Sequence, residues 1–300
     1  MKIIDRQASN TLPDVQIWTV QPANIARPFL VAISTPTGPT ATVERHGLLV
    51  TDGNGVGLSM ATFASYLAMG GDMPAQVVVA VGYPVDQTDP KWHLARNIDL
   101  TPKPWPEWDA RYGNFFGAKA PASGDSERFL HFLTSELMPA IERDCDVDPA
   151  NWTLAGHSLG GLFATTALIT APAKFKRYLA VGSSYWWRRG EPLTQAKAFA
   201  AQSGAVDISA YLAAGELETR DTVFKAQGEA VKSEPWTSYL EVMGGIPDIV
   251  EDTKTMASIL GQRPGLRVKA ETIAGEGHSG APFAAYSRGL QWLYAQRNER

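Results

Sequence analysis

The sequence contains one cysteine and no hydrophobic run long enough to cross a bilayer. Cys145 cannot form an internal disulfide, and no cysteine or histidine stands near it at the spacing of a metal site. A transmembrane helix needs about 20 consecutive apolar residues, and the runs here are much shorter. No apolar segment follows Met1 and Lys2, so a secretory signal is not expected. These absences predict a cytoplasmic protein that does not span a membrane.

Neither sign of charge dominates the sequence. Its 27 basic and 31 acidic residues give a formal net charge of -4. Binding to nucleic acid requires a concentrated basic face, and attachment to anionic lipids requires a polybasic segment, and neither is present. The composition therefore argues against nucleic acid and membranes as partners, and the expected partner is a small molecule.

Short apolar runs alternate with helix-like segments along the chain. Residues 77–81, Val-Val-Val-Ala-Val, are apolar at every position, which is typical of a strand covered on both faces. The predicted strands are residues 29–33, 47–51, 77–81, 152–155, 177–181, 208–214 and 266–273. The predicted helices are residues 58–69, 126–143, 160–170, 253–260 and 283–296. This alternation predicts one α/β domain over residues 1–300, with a mostly parallel, doubly wound sheet flanked by helices on both faces.

Residues 85–124 lack such a pattern and are rich in proline, tryptophan and glycine, which predicts a long irregular loop. A loop of this length inside a compact domain is unusual and is often functional. We expect this segment to cover the active site.

Gly156-His157-Ser158-Leu159-Gly160 has the spacing of a nucleophile elbow, in which a serine stands on a sharp turn between a strand and a helix. The residues two before and two after the serine must be small because the turn crowds the backbone, and both are glycine. A strand-like run ends at Ala155, and a helix-like run follows the motif. This context predicts an α/β-hydrolase fold with Ser158 as nucleophile; the alternative is a glycine-rich turn with a buried serine.

A serine nucleophile needs a base, and the chain offers His46, His93, His131, His157 and His278. Only His278 follows the last predicted strand and precedes the last predicted helix. In α/β-hydrolases the histidine comes from this position, after the serine and the acid in chain order. We therefore predict that His278 is the base and that the side chain of His157, beside the serine, points elsewhere.

The acid of the triad must lie between the serine and the histidine, just after a strand. Two carboxylates in Gly215-Glu216-Leu217-Glu218 satisfy this, and Asp221 lies slightly further along. The acid orients the imidazole and stabilises its cation, so Glu serves as well as Asp. We favour Glu218, with Glu216 and Asp221 as alternatives that are otherwise solvated charges.

Two backbone amides are needed to stabilise the oxyanion of the tetrahedral intermediate. One is expected from Leu159, the residue after the nucleophile. The other is expected from the turn after the 47–51 strand, where Asn54 is the first candidate and Gly53 the second. The same Asp-Gly-Asn sequence is also common in ordinary turns.

Longer motifs resemble one family over nearly the whole chain. They are Leu49-Val50-Thr51-Asp52-Gly53-Asn54, Val81-Gly82-Tyr83-Pro84, Arg96-Asn97-Ile98-Asp99-Leu100-Thr101-Pro102, Glu136-Leu137-Met138-Pro139, Tyr185-Trp186-Trp187 and Glu276-Gly277-His278-Ser279. Together with the elbow they resemble the esterase D-related group of α/β-hydrolases, and within it the enterochelin (trilactone siderophore) esterase-like branch. The elbow is shared by many hydrolases, whereas the R-x-x-D-L-T-P motif and the tandem tryptophans are much narrower.

The resemblance implies a Ser-acid-His esterase that acts on a small-molecule ester and uses no metal or other cofactor. The acid and the second oxyanion amide that it implies are the residues already favoured. It also implies that Trp186 and Trp187 line an acyl or aryl pocket, with core packing as the alternative. Arg96 would lie near an anionic substrate or, alternatively, form an ion pair with Asp99 that holds the long loop.

Three functions are compatible with these residues. The first is a carboxylic-ester hydrolase that works through an acyl-enzyme on siderophore-like or aryl esters. The second is an acyltransferase, in which an alcohol replaces water on the same triad. The third is a binding module with a silent triad, which the presence of all three triad residues disfavours.

Overall fold

In the computed structural model, the chain folds into one mixed sheet with helices on both of its faces. The structure describes residues 1–9, 14–36, 45–84, 92–115, 119–222, 232, 234 and 236–295. Within these ranges, no helix combines the length and the apolar character needed to cross a membrane.

The strands of the described residues form a single sheet in the spatial order β1-β2-β3-β5-β4-β6-β7-β8-β9. Their bounds are β1 Lys2–Ala8, β2 Val15–Gln21, β3 Phe29–Ser34, β4 Arg45–Val50, β5 Gln76–Gly82, β6 Val147–His157, β7 Arg177–Val181, β8 Ile208–Gly215 and β9 Leu266–Ile273. The pairings among β1, β2, β3 and β5 are antiparallel, and all the others are parallel. The carboxyl ends of β4 to β9 therefore lie at one edge of the sheet, where α/β proteins bind their ligands.

The helices connect these strands and cover the sheet. They are α1 Gly53–Met69, α2 Trp92–Asp99, α3 Pro106–Phe115, α4 Ser126–Phe132, α5 Met138–Cys145, α6 Leu159–Thr170, α7 Trp187–Ala200, α8 Trp236–Met243, α9 Ile249–Leu260 and α10 Ala281–Tyr294. A π-helical turn, Leu133–Leu137, joins α4 to α5.

The central strands are buried on both faces, as their uninterrupted apolar runs predict. Every residue of β5 and of β8 is buried. On one face, α1 and α10 contribute Met60 and Leu290 to the core. On the other face, α4, α6 and α9 contribute Phe129, Phe163 and Leu260. The predicted doubly wound sheet between two helical layers is confirmed, and so are the seven predicted strands.

Two strands and two helices outside residues 85–124 carry no clear sequence signal. β1 is almost entirely exposed, so it lacks an apolar pattern; it is an edge strand paired with β2, which was not predicted either. In α7, Arg188, Arg189 and Gly190 have left-handed backbone angles and Pro192 lies in the first regular turn. These features hide the helical period. The fourth unpredicted element, α8, spans eight residues.

The prediction of an irregular loop over residues 85–124 is wrong in part, because α2 and α3 lie within it. Pro106 begins α3, where a missing N–H removes no helical hydrogen bond. Trp108 and Tyr112, one turn apart on this helix, stack with ring centroids 5.1 Å apart and are both buried. The proline thus begins α3, and the tryptophan anchors this helix in the core. Residues 85–91 and 116–118 lie outside the described residues.

Candidate active site

Ser158 lies at the tight turn between β6 and α6, with φ 61° and ψ -118°. A positive φ is strained for a residue with a side chain. The amide of Ser158 donates to the carbonyl oxygen of Val181 in β7 at 2.9 Å, which holds the turn. A Cβ on Gly156 would lie 2.2 Å from the carbonyl oxygen of Gly160, so the turn has room only for glycine. The predicted elbow is therefore formed.

The turn between β4 and α1 rests directly on this elbow. A Cβ on Gly160 would lie 2.4 Å from Thr51 Oγ1 and 2.8 Å from Asp52 Oδ2. Asn54 is the second residue of α1, and Leu159 is the first residue of α6. Backbone N–H groups at such positions have no helical acceptor. Two helix N-termini, both with positive dipole ends, therefore come together beside the serine.

Glu218 and His278 form a short hydrogen bond, 2.5 Å between Glu218 Oε1 and His278 Nδ1. Glu218 lies after β8 and is only 1% exposed, and its Oε2 accepts from the amide of Gly215 at 2.6 Å. The carboxylate is thus fixed at both oxygens. Glu216 and Asp221, the alternative acids, are solvent-exposed, and the structure pairs neither with the histidine.

Gly182, at the end of β7, lies against three polar atoms of the site. A Cβ at this position would lie 3.1 Å from Glu218 Oε1 and 3.2 Å from both His278 Nδ1 and His157 Nε2. Its φ of +53° also favours glycine. The rings of His157 and His278 have centroids 4.5 Å apart. Burial, with the charges of His278 and Arg96, holds the pKa of His157 well below its ordinary range, so His157 is neutral beside the candidate base.

A pocket of about 240 Å³ opens beside the serine and the histidine. Its polar end holds Ser158, Ser184, Glu218 and His278. Its walls are mainly apolar and include Trp186, Leu217, Trp236, Tyr239, Leu240, Met243, Ile246, Pro247 and Ile249. Such a site, apolar with a few convergent polar groups at one end, is the usual form of a small-molecule pocket.

A family model described as "Putative esterase" matches residues 23–245. The chain belongs to this esterase family. Ferri-bacillibactin esterase of Bacillus subtilis is 30% identical over 217 residues, which are 69% of this chain and 72% of that protein. Siderophore triacetylfusarinine C esterase of Aspergillus fumigatus is 33% identical over 209 residues, 65% of this chain and 64% of that protein. The expectation of a carboxylic-ester hydrolase from the enterochelin esterase-like branch is confirmed.

Solved structures agree with the fold of this esterase. Siderophore hydrolase EstA from Aspergillus nidulans superposes with a TM-score of 0.76 at 21% identity, covering 98% of each chain. The BES protein of Bacillus cereus superposes with a TM-score of 0.72 at 22% identity, covering 98% of this chain and 100% of that one. At these identities, the similarity establishes the α/β-hydrolase fold.

The tandem tryptophans of the esterase differ in their surroundings. Trp186 lines the pocket. Trp187 does not: it is fully buried, and its ring packs against Trp105 at 5.2 Å and Trp108 at 5.5 Å. Consecutive residues point in different directions, so one ring of the pair is placed at the pocket and the other in the core behind it. The core-packing alternative therefore applies to Trp187 alone.

Arg96 pairs with Asp52 and not with Asp99, the ion-pair partner considered from the sequence. Its guanidinium donates to both oxygens of Asp52, at 2.6 and 2.7 Å, and to the carbonyl oxygen of His157 at 3.1 Å. Asp99 pairs with Arg27 instead. Burial lowers the pKa of Arg96, but the charge and hydrogen bonds of Asp52 outweigh this and raise it above the ordinary value. Arg96 is not among the residues that line the pocket.

The side chain of Asn54 is also engaged in the fold. Its Oδ1 accepts from the amide of Tyr83 at 2.7 Å, and its Nδ2 donates to the carbonyl oxygen of Tyr83 at 2.9 Å. This two-fold pairing ties the start of α1 to the end of β5. Only the backbone amide of Asn54 is therefore a candidate for the oxyanion.

The sequence did not indicate most of the apolar wall, which comes from α8 and residues 246–249 besides Trp186 and Leu217. None of the pocket residues that the structure describes belongs to the 85–124 segment. That segment instead supports the wall from behind, since Trp108 of α3 packs against Tyr239 of α8 at 4.9 Å. The apolar residues Trp236, Tyr239 and Leu240 are a signal in the sequence that could have indicated this role.

Proposed function

We propose that this esterase hydrolyses its substrate through a Ser158–His278–Glu218 triad and an acyl-enzyme intermediate. The observation that carries the proposal is the 2.5 Å hydrogen bond from His278 to buried Glu218, in a pocket that also contains the strained serine. A base oriented by an acid beside a serine on an elbow is the arrangement that activates a hydroxyl for attack.

In the first half-reaction, Nε2 of His278 takes the proton of Ser158 Oγ as the oxygen attacks the ester carbonyl. Glu218 holds Nδ1 of the ring and stabilises the imidazolium that forms. When the tetrahedral intermediate collapses, the bond to the alcohol breaks and the alcohol leaves with the proton from His278. Water then gives its proton to His278, attacks the acyl-enzyme and releases the acid, and the proton returns to Ser158.

The oxyanion of both tetrahedral intermediates is assigned to the backbone amides of Leu159 and Asn54. The contact between the β4–α1 turn and the elbow supports this assignment, because it brings the two helix N-termini together. Removing one such donor typically lowers kcat by about 100- to 1000-fold.

The apolar walls favour an acyl or aryl group of modest size in the pocket, with Trp186 as a flat contact surface. Siderophore-like or aryl esters are therefore the proposed substrates. The relatives named as ferri-bacillibactin and triacetylfusarinine C esterases support the siderophore class.

The test is hydrolysis of p-nitrophenyl butyrate by wild type, Ser158→Ala and a matched control, Ser183→Ala. Ser183 is buried beside Gly161, just after the elbow, but does not line the pocket. Ser158→Ala is expected to lower kcat by at least 1000-fold. Ser183→Ala should stay within about threefold of wild type, and equal activity of Ser158→Ala and wild type would refute the triad.

A further inference from the structure

The two proposed oxyanion amides come from different parts of the chain. Leu159 follows the elbow, whereas Asn54 lies in the turn after β4, about one hundred residues earlier. A pair of hydrogen-bond donors stabilises an oxyanion best if their spacing is fixed before the reaction. Moving the donors during the reaction would cost part of the free energy that they contribute. Some contact must therefore hold one segment against the other.

Asp52 is the residue through which the β4–α1 turn is held. Its backbone is left-handed, with φ 58°, and its carbonyl oxygen accepts from Gly55 at 2.9 Å and Val56 at 3.2 Å. These bonds begin α1 and so fix where the amide of Asn54 lies. The carboxylate of Asp52 meanwhile lies against Gly160 of the elbow. A shift of Asp52 would therefore move one oxyanion donor relative to the other.

Arg96 binds both segments with one rigid group. Its planar guanidinium spans the two oxygens of Asp52 and also reaches the carbonyl oxygen of His157, the residue before the nucleophile. The side chains of Arg96 and Asp52 are 11% and 7% exposed, so water competes little for these bonds. Because the guanidinium has a fixed planar geometry, it fixes the distance between the two segments, which a single flexible contact would not do.

We propose that Arg96, through Asp52, is a positioning residue for the oxyanion hole. It sets the separation between the amides of Asn54 and Leu159, and this inference rests on the proposed function, which assigns the oxyanion to those amides. Under this proposal, α2, which lies between β5 and α4, contributes to catalysis through Arg96, although Arg96 does not line the pocket.

A positioning role predicts a specific kinetic signature. The oxyanion exists only in the tetrahedral state, so a loosened hole weakens transition-state binding and leaves substrate binding almost unchanged. Arg96→Lys keeps the charge but loses the bidentate fork, and Asp52→Asn keeps the shape but loses the charge. Each is expected to lower kcat by about 10- to 100-fold with KM within about threefold.

The experiment measures kcat, KM and inhibition by phenylboronic acid, which forms a tetrahedral adduct with the catalytic serine and places an oxygen in the hole. In Arg96→Lys and Asp52→Asn, the inhibition constant should rise by the factor by which kcat/KM falls. The double variant should be no worse than the poorer single variant, because the two residues act as one unit. Arg263→Lys is the matched control, since Arg263 is 7% exposed and donates to the main-chain oxygen of Gln202.

Two results would overturn the proposal. One is a kcat within twofold of wild type in both variants, at a temperature where both are folded, whatever their loss of thermal stability. The other is a higher KM for anionic esters alone with kcat unchanged, which would make Arg96 a substrate contact. Ser158→Ala in the same assay separates the two hypotheses: if it keeps activity, the proposed triad fails, and if it is inactive, the Arg96 result tests positioning alone.

Discussion

His157 and His278 lie side by side, with ring centroids 4.5 Å apart, yet only His278 reaches the pocket. A second cation at this distance would oppose formation of the His278 imidazolium during catalysis. Burial lowers the pKa of His157 well below the ordinary range, so the ring stays neutral at working pH. The histidine that we propose as the base thus has an uncharged neighbour.

The neutrality of His157 can be measured by NMR. Because its pKa is lowered, we expect its ring resonances not to shift between pH 8 and pH 5.5. Long-range ¹H–¹⁵N spectra of wild type, with His157→Gln used to assign the ring, follow this directly. A titration of the assigned resonances with a midpoint inside that interval would contradict the burial argument.

Gly182→Ala is expected to damage activity far more than stability. The new methyl group would lie 3.1 to 3.2 Å from the polar atoms of Glu218, His278 and His157, so the hydrogen bond of the triad must shift. We expect kcat to fall by about 100-fold. The positive φ adds a stability loss of about 1 kcal/mol.

Gly204→Ala is the matched control for this variant. Gly204 also has a positive φ, 87°, but a methyl group there would have no neighbour within 4 Å among the described atoms. It should lose a similar free energy of unfolding in urea and keep wild-type kcat. Equal kcat values for the two variants would show that contact with the triad atoms is unimportant.

Trp186→Ala and Trp187→Ala should separate binding from stability. Trp186 lines the pocket, so its removal should raise KM for aryl esters by about tenfold. Trp187 is fully buried between Trp105 and Trp108, and its removal should cost about 3 to 5 kcal/mol of unfolding free energy. Steady-state kinetics and urea unfolding check both. A higher KM in Trp187→Ala alone would contradict the assignment of Trp186 to the pocket.

His46, far from the site, should make the fold sensitive to acid. Burial, aided by Arg177 and opposed by Asp148, lowers its pKa from 6.5 to about 4. Between these values the unfolded chain binds a proton that the folded chain does not, so stability falls as pH drops from 6.5 to 4. A shift of this size corresponds to about 3 kcal/mol, and solvent screening reduces the expected loss of unfolding free energy to about 2 kcal/mol. Urea unfolding should show a flatter pH dependence in His46→Gln, and unchanged slopes would exclude this residue as the cause.

The elements at the site that could be predicted from sequence have strong local signals. β5 is apolar at every position because both faces are covered, and the elbow needs glycine on each side of Ser158 because a Cβ would collide there. The prediction for His278 rests instead on its place in the chain, after the last predicted strand. For β5 and the elbow, the physical constraint acts within a few residues, so the sequence carries it.

Contacts between distant segments could not be predicted in this way. Arg96 and Asp52 are 44 positions apart, and Asp99 was the closer and more obvious partner for the arginine. The sequence does not distinguish Trp186 from Trp187, and only the tertiary structure shows that Trp187 is the fully buried ring of the pair. β1 is an exposed edge strand, so burial left no pattern in it. These features depend on tertiary packing.

The formation of an acyl-enzyme at Ser158 can be observed by quenching wild type with acid during turnover of p-nitrophenyl butyrate. Peptide mass spectrometry then locates the butyryl group. We expect a burst of about one p-nitrophenol per enzyme and the acyl group on the peptide that contains Ser158, with neither seen in Ser158→Ala. Turnover of Ser158→Ala at the wild-type rate, or a butyryl group on another residue during turnover, would contradict this expectation.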